Sequence, residues 1–129
     1  PQKADPRGLH HLKVVPGPGV PDSTFSGIGR LERPFLLYVP KGYTGEEPIP
    51  LWINAPGTDV AMSTVFAHNA FLADRCTVHM VVLSGLWHRM SVGLHARPSR
   101  DPWPDDVAYT RAVIRQVTQH VRVDPKRVR

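Results

Sequence analysis

A single cysteine, Cys76, stands among 129 residues. One thiol cannot close an internal disulfide, and no Cys/His spacing suited to a metal is present. Long hydrophobic runs are also missing. No apolar stretch approaches the roughly 18 residues of a membrane span, so no membrane partner is expected. No signal peptide is visible, but the first residue is Pro1, so the chain need not begin at a natural start. No dinucleotide fingerprint is completed: Gly27-Ile28-Gly29 is not followed by a helix, and it receives no cofactor role. The formal charge is +5, yet there is no run of five like charges and no aromatic platform among them. That excludes the usual footprint of a nucleic-acid binder. The densest basic stretch, Arg122, Lys126, Arg127 and Arg129, surrounds a helix end, where cations commonly sit.

What is present reads as globular. Hydrophobic residues make up 41% and charged residues 21%, which separates the chain from disordered compositions. Fourteen prolines and ten glycines imply many loops. Residues 1–22 read as an irregular leader, broken by Pro16-Gly17-Pro18-Gly19. The His10-His11 pair in it could bind a metal. Adjacent side chains point apart and no further ligand follows, so solvated leader is the better reading.

From residue 23 onward, strands and helices alternate. Arg33 to Pro40 is an apolar and aromatic run closed by proline, which predicts a strand. Ile49 to Asn54 and Val78 to Leu83 are continuous apolar runs, as expected of strands buried on both faces. Between them, Val65, Phe66, Phe71 and Leu72 recur at helical spacing, predicting a helix over 60–74. A second helix starts at Pro104, which suits a first helical turn. Asp105 and Asp106 look like paired carboxylates but complement the positive end of the helix dipole. Val107, Ile114, Val117 and Val121 fall on one face of it. Arg127 to Arg129 looks like the approach to another strand. Such alternation predicts an α/β fold: a mostly parallel sheet of three to five strands with flanking helices.

Three segments carry a family resemblance. One is Phe35-Leu36-Leu37-Tyr38-Val39-Pro40-Lys41-Gly42-Tyr43, followed by Pro48-Ile49-Pro50-Leu51-Trp52-Ile53. The next is Phe71-Leu72-Ala73-Asp74-Arg75. The last is Trp103-Pro104-Asp105-Asp106-Val107-Ala108-Tyr109-Thr110, followed by Val123-Asp124-Pro125-Lys126-Arg127-Val128. In that order they resemble the first half of the poly(3-hydroxybutyrate) depolymerase and feruloyl esterase family of α/β-hydrolases. The resemblance covers about residues 30–129. It implies an incomplete α/β-hydrolase sheet over residues 23–129, cut before the nucleophile elbow. It also implies a serine esterase acting on polyester or plant cell-wall hydroxycinnamoyl esters, usually secreted, with no cofactor.

The elbow of that family is G-x-S-x-G. None of the six serines, Ser23, Ser26, Ser63, Ser84, Ser91 and Ser99, sits in that pattern. By the resemblance, the whole triad is therefore absent and the chain by itself is inactive. One catalytic element could be present. The loop after the second strand run supplies an oxyanion donor in this family, and the matching residues are Pro56-Gly57-Thr58. The role is carried to the Thr58 N–H, with Gly57 allowing a tight backbone; an ordinary strand-ending turn is the alternative. Pro56 replaces the family's usual histidine and restricts Ala55. Trp87 and Trp103 could line an aromatic acyl or sugar site, or pack beneath a long loop. His68, His79, His88, His95 and His120 have no nucleophile motif to serve as base. His79 interrupts an apolar strand and reads as a hydrogen-bonded core residue. A degenerate, non-catalytic hydrolase remnant or a small binding domain is the second function class. A sheet ending at its central strand is expected to leave an edge and a helix face uncovered.

Overall fold

The computed structural model describes residues 5–25, 31–56, 60–84 and 105–129. Arg33–Val39 forms a strand because its aromatic and β-branched residues fit a pleated, two-sided environment; six of its seven residues are buried. Among the described residues the order is β1 (Gly8–Val14), a 3-10 turn (Asp22–Phe25), β2 (Arg33–Val39), β3 (Ile49–Asn54), α1 (Met62–Cys76), β4 (His79–Leu83), α2 (Asp106–His120) and β5 (Val123–Val128).

The five strands make one sheet in the order β1-β2-β4-β3-β5. Successive strand residues point to opposite faces, and the two faces have separate cores. Phe35, Leu37 and Val39 of β2, Leu51 of β3, and Val81 and Leu83 of β4 pack with Tyr109, Val113 and Val117 of α2. Leu36 and Tyr38 of β2 and Met80 and Val82 of β4 pack with Ala73, Val65 and Phe66 of α1. The two helices therefore cover opposite faces of the sheet, a three-layer α/β arrangement.

The sheet is mixed rather than mostly parallel. β1 and β4 both run antiparallel to β2. β3 is parallel to β4 and to β5. The connections explain this. Among the described residues, β3-α1-β4 and β4-α2-β5 contain the helical crossover that parallel neighbours require. Residues 40–48 join β2 to β3 without a helix, so β3 starts near the end of β2 and runs back.

Residues 1–22 are not an irregular leader, because β1 lies within them. His10, Leu12 and Val14 turn toward the sheet's α2 side, while Leu9, His11 and Lys13 are exposed. Two histidines hide this alternation in the sequence. The breakers at 16–19 act only after the strand has ended. Here His10 Nε2 meets the carbonyl of Pro6 at 2.5 Å.

Both helices expose a residue expected inside. Phe71 of α1 is 61% exposed and Val107 of α2 is 42% exposed. In α2 the buried stripe is Asp106, Tyr109, Ala112, Val113 and Val117. The face is thus displaced from the expected one and includes a carboxylate. Asp105, the residue before α2, accepts the N–H of Ala108 at 3.0 Å and caps the helix. Helix α1 runs two residues beyond the expected end. It closes with Thr77 in the left-handed region, φ 53°, and the Val78 N–H on the Ala73 carbonyl at 3.1 Å.

Candidate functional site

In an open α/β sheet, ligands bind beyond the carboxyl ends of the strands, where the winding direction reverses. Here the chain steps from β3 outward to β4, then back across β3 to β5. The reversal falls at β3, whose last residue is Asn54. Asn54 is half-buried, Ala55 is exposed and Pro56 is buried. The Asn54 Nδ2 is buried without a hydrogen-bond partner. The sequence-predicted oxyanion residues Gly57 and Thr58 follow directly but lie outside the described residues, as do Trp87 and Trp103.

Behind this end of the sheet sits a buried charge network that the sequence reading did not find. Arg33 at the start of β2 forms an ion pair with Asp106 at 2.6 Å, both side chains almost fully buried. Its Nη2 also donates to the Ser84 carbonyl at 2.8 Å, and its guanidinium lies 3.6 Å from the ring centroid of Tyr109. The Tyr109 hydroxyl donates to the Pro34 carbonyl at 2.7 Å and accepts the Ser84 N–H at 3.0 Å. Burial pushes the Tyr109 phenol up, so it stays protonated and serves as a fixed donor. Ser84 does not resemble a nucleophile: its hydroxyl donates to the Pro34 carbonyl at 2.6 Å. The network joins the end of β4 to the start of α2. Ser23 adds to it, accepting the Asp105 N–H on its carbonyl at 2.8 Å. The signal available in the sequence was the Asp105-Asp106 pair, one residue of which caps the helix while the other pairs inward.

The opposite end of the sheet is tied by other residues of the resembling segments, Tyr38, Lys41, Gly42, Tyr43 and Asp74. Asp74 at the end of α1 accepts the Tyr38 hydroxyl at 2.8 Å and the Lys41 N–H at 2.9 Å. Burial and the Asp74 carboxylate push Tyr38 up to about 12. Gly42 passes so close to α1 that a Cβ there would sit 3.3 Å from Thr77 Oγ1. The Tyr43 hydroxyl accepts the Arg122 N–H at 2.9 Å. These motif residues join strands to helices; none of them reaches the carboxyl ends of β3, β4 or β5.

His79 is a hydrogen-bonded core residue, as expected. It is fully buried, and its Nε2 meets the Arg122 carbonyl at 3.1 Å. His68 is exposed on α1 and His120 is exposed in the last turn of α2. His88 and His95 lie outside the described residues. Among the described residues, no histidine ring is hydrogen-bonded to a hydroxyl or carboxylate, so no nucleophile–base pair is assembled there. No group of three metal-ligating side chains occurs among them, and no helix among them is long and apolar enough to cross a membrane. Cys76 is an exposed free thiol.

Compared with solved structures, the chain is similar to a thermostable esterase, with a TM-score of 0.55 and 15% sequence identity. The match covers 90% of this chain and 32% of that protein. The chain has an esterase-like α/β fold. It spans about a third of that esterase's length, and at this identity the likeness concerns the fold alone. No protein-family model matches the chain, and no curated protein sequence matches it. The esterase-like fold agrees with the α/β-hydrolase resemblance at its coarsest level, and the mixed sheet replaces the mostly parallel one.

Proposed function

We propose that this chain is the front part of a serine carboxylic-ester hydrolase, with the turn after β3 supplying one oxyanion donor. The observation that carries the reading is the esterase-like fold, with β3 and β5 parallel and their carboxyl ends side by side. The Ile53 N–H donates to the Arg129 carbonyl at 2.6 Å. Chain continuing from β5 would therefore leave the sheet beside the β3 turn. That is where the motif resemblance places the nucleophile elbow.

The chemistry then follows. A serine hydroxyl attacks the ester carbonyl while a histidine takes its proton, giving a tetrahedral oxyanion. The Thr58 N–H, with the N–H following the nucleophile, would hold that charge. Collapse expels the alcohol, protonated by the same histidine, and leaves an acyl-serine that water hydrolyses. Trp87 and Trp103 would offer apolar surface to an aromatic or polyester acyl group. No cofactor enters this scheme. Polyhydroxyalkanoate or hydroxycinnamoyl esters are the substrates that the motifs favour.

The test begins with the coding sequence downstream of Arg129. A Gly-x-Ser-x-Gly within about ten residues, with a later acid and histidine, supports the reading. The extended protein should cleave p-nitrophenyl butyrate, and the 129-residue chain should not. Thr58→Pro, which removes the N–H, should lower kcat by about 10²–10³-fold. An unchanged kcat would sink the oxyanion role. A stop codon after Arg129 would favour the second reading, a non-catalytic remnant or binding domain. Pro56 motivates that reading, because it offers no N–H where the family has histidine.

A further inference from the structure

At the foot of the sheet, away from the proposed site, three strand starts converge on one carbonyl. The Arg122 oxygen accepts the Ile49 N–H at 3.3 Å, from β3, and meets His79 Nε2 at 3.1 Å, from β4. Arg122 itself leads into β5, and its own N–H donates to the Tyr43 hydroxyl. Nε2 facing a carbonyl must carry the proton, so in the neutral ring Nδ1 is the bare acceptor. That Nδ1 is buried and has no hydrogen-bond partner.

We propose that His79 is an acid-sensitive latch: a second proton, on Nδ1, opens the joint that holds the starts of β3, β4 and β5 together. The added N–H would have no protein acceptor, and a buried charge without a counter-ion is costly. No carboxylate offsets it, and the Tyr43 ring and the bond to the Arg122 carbonyl offset it only in part. From the turn after β2, Tyr43 presents its ring, 4.8 Å away centroid to centroid. From β3, the residue paired with His79 is Leu51. The Arg122 guanidinium is held by the carbonyls of Glu46 and Gly45, and no charged side chain shifts His79.

Burial, opposed by the bond to Arg122, depresses His79 from its ordinary 6.5 to about 4. Between these values the closed joint binds fewer protons than the opened one, so falling pH favours opening. The joint is complete above about pH 6.5 and is lost progressively toward pH 4. Its opening would free the start of β5, the strand proposed to lead toward the nucleophile. The latch itself does not depend on the esterase reading.

The test is hydrogen exchange by NMR on the 129-residue chain, with protection corrected for the intrinsic effect of pH. Protection of the Ile49 and Arg122 amides should fall about thirtyfold from pH 8 to pH 5, the ratio set by pKa values of 4 and 6.5. Amides of β1 and β2 should fall much less. In His79→Gln, which retains a donor for the Arg122 carbonyl, the pH effect should vanish. An equal fall in the variant, or a uniform fall across all strands, would overturn the latch. Should the variant not fold, the wild-type ring decides: a His79 Cε1–H resonance titrating near 6.5 in the folded chain rejects the proposal, and one titrating near 4 supports it.

Discussion

Arg33 and Asp106 have exchanged water for each other, the Tyr109 ring and the Ser84 carbonyl. Such a pair need not add net stability, but removing one partner leaves a buried charge without compensation. Asp106→Asn is therefore expected to lower unfolding stability by about 3–5 kcal/mol, measured by urea denaturation at pH 7. The double variant Arg33→Met, Asp106→Leu should lose clearly less, because it removes both charges. A loss under 1 kcal/mol for Asp106→Asn would show that the cavity rehydrates. This pair also marks how far residue roles were readable. Asp105 and Asp106 are adjacent and chemically alike, and both suit a helix start. Only the rotation of α2 sends one carboxylate to the Ala108 N–H and the other into the core. That rotation also buries Tyr109, Ala112, Val113 and Val117, and the partner that receives Asp106 is Arg33, 73 positions earlier. His79 was readable because a lone polar residue inside an apolar run needs a partner; which nitrogen lacked one was not.

At the level of elements, β2, β3, β4 and α2 were legible because each is a run with turn residues at its ends. β1 was not, since a leucine faces outward and one of its two histidines faces inward, which blurs the alternation. Strand direction was only half legible. Helical crossovers predict the β3-β4-β5 trio, but β2 joins that trio antiparallel through a pairing set by the sheet, not by its own sequence. The two helices also differ in anchorage. Helix α1 begins after Ala61 with no side-chain cap, whereas α2 has Asp105. Asp105 is also bonded by the Ser23 hydroxyl at 3.2 Å. Asp105→Ala should therefore cost about 1 kcal/mol, while Ala61→Ser, which supplies a cap, should add stability to α1. Urea unfolding followed by far-ultraviolet circular dichroism checks both. An unchanged Asp105→Ala would mean that the Asp105 N–H on the Ser23 carbonyl fixes the helix start alone.

Across the whole molecule, among the described residues, one face of the sheet is better covered than the other. Helix α2 buries five side chains, while α1 buries only Ala73 fully. The candidate site was legible only as a motif order, because its geometry depends on residues 57–59 and 85–104, outside those described. What the described residues do expose is Phe71, outward on α1 beside the exposed Ala67, His68 and Arg75. An aromatic ring in that position contributes little to the core and offers an apolar point for association. Phe71→Lys should therefore raise the concentration at which the chain stays monomeric in analytical ultracentrifugation. It should leave the urea midpoint almost unchanged, within the roughly 0.5 kcal/mol typical of surface substitutions. A loss above 1 kcal/mol would show that the ring covers the α1-side core after all. An unchanged association would place the adhesive surface elsewhere, with the open edge of β1 the next position to probe. β5 is the weaker candidate, because Pro125 lacks an N–H and the bonds of Asp124 to Lys126 and Arg127 fold its middle away from regular pairing.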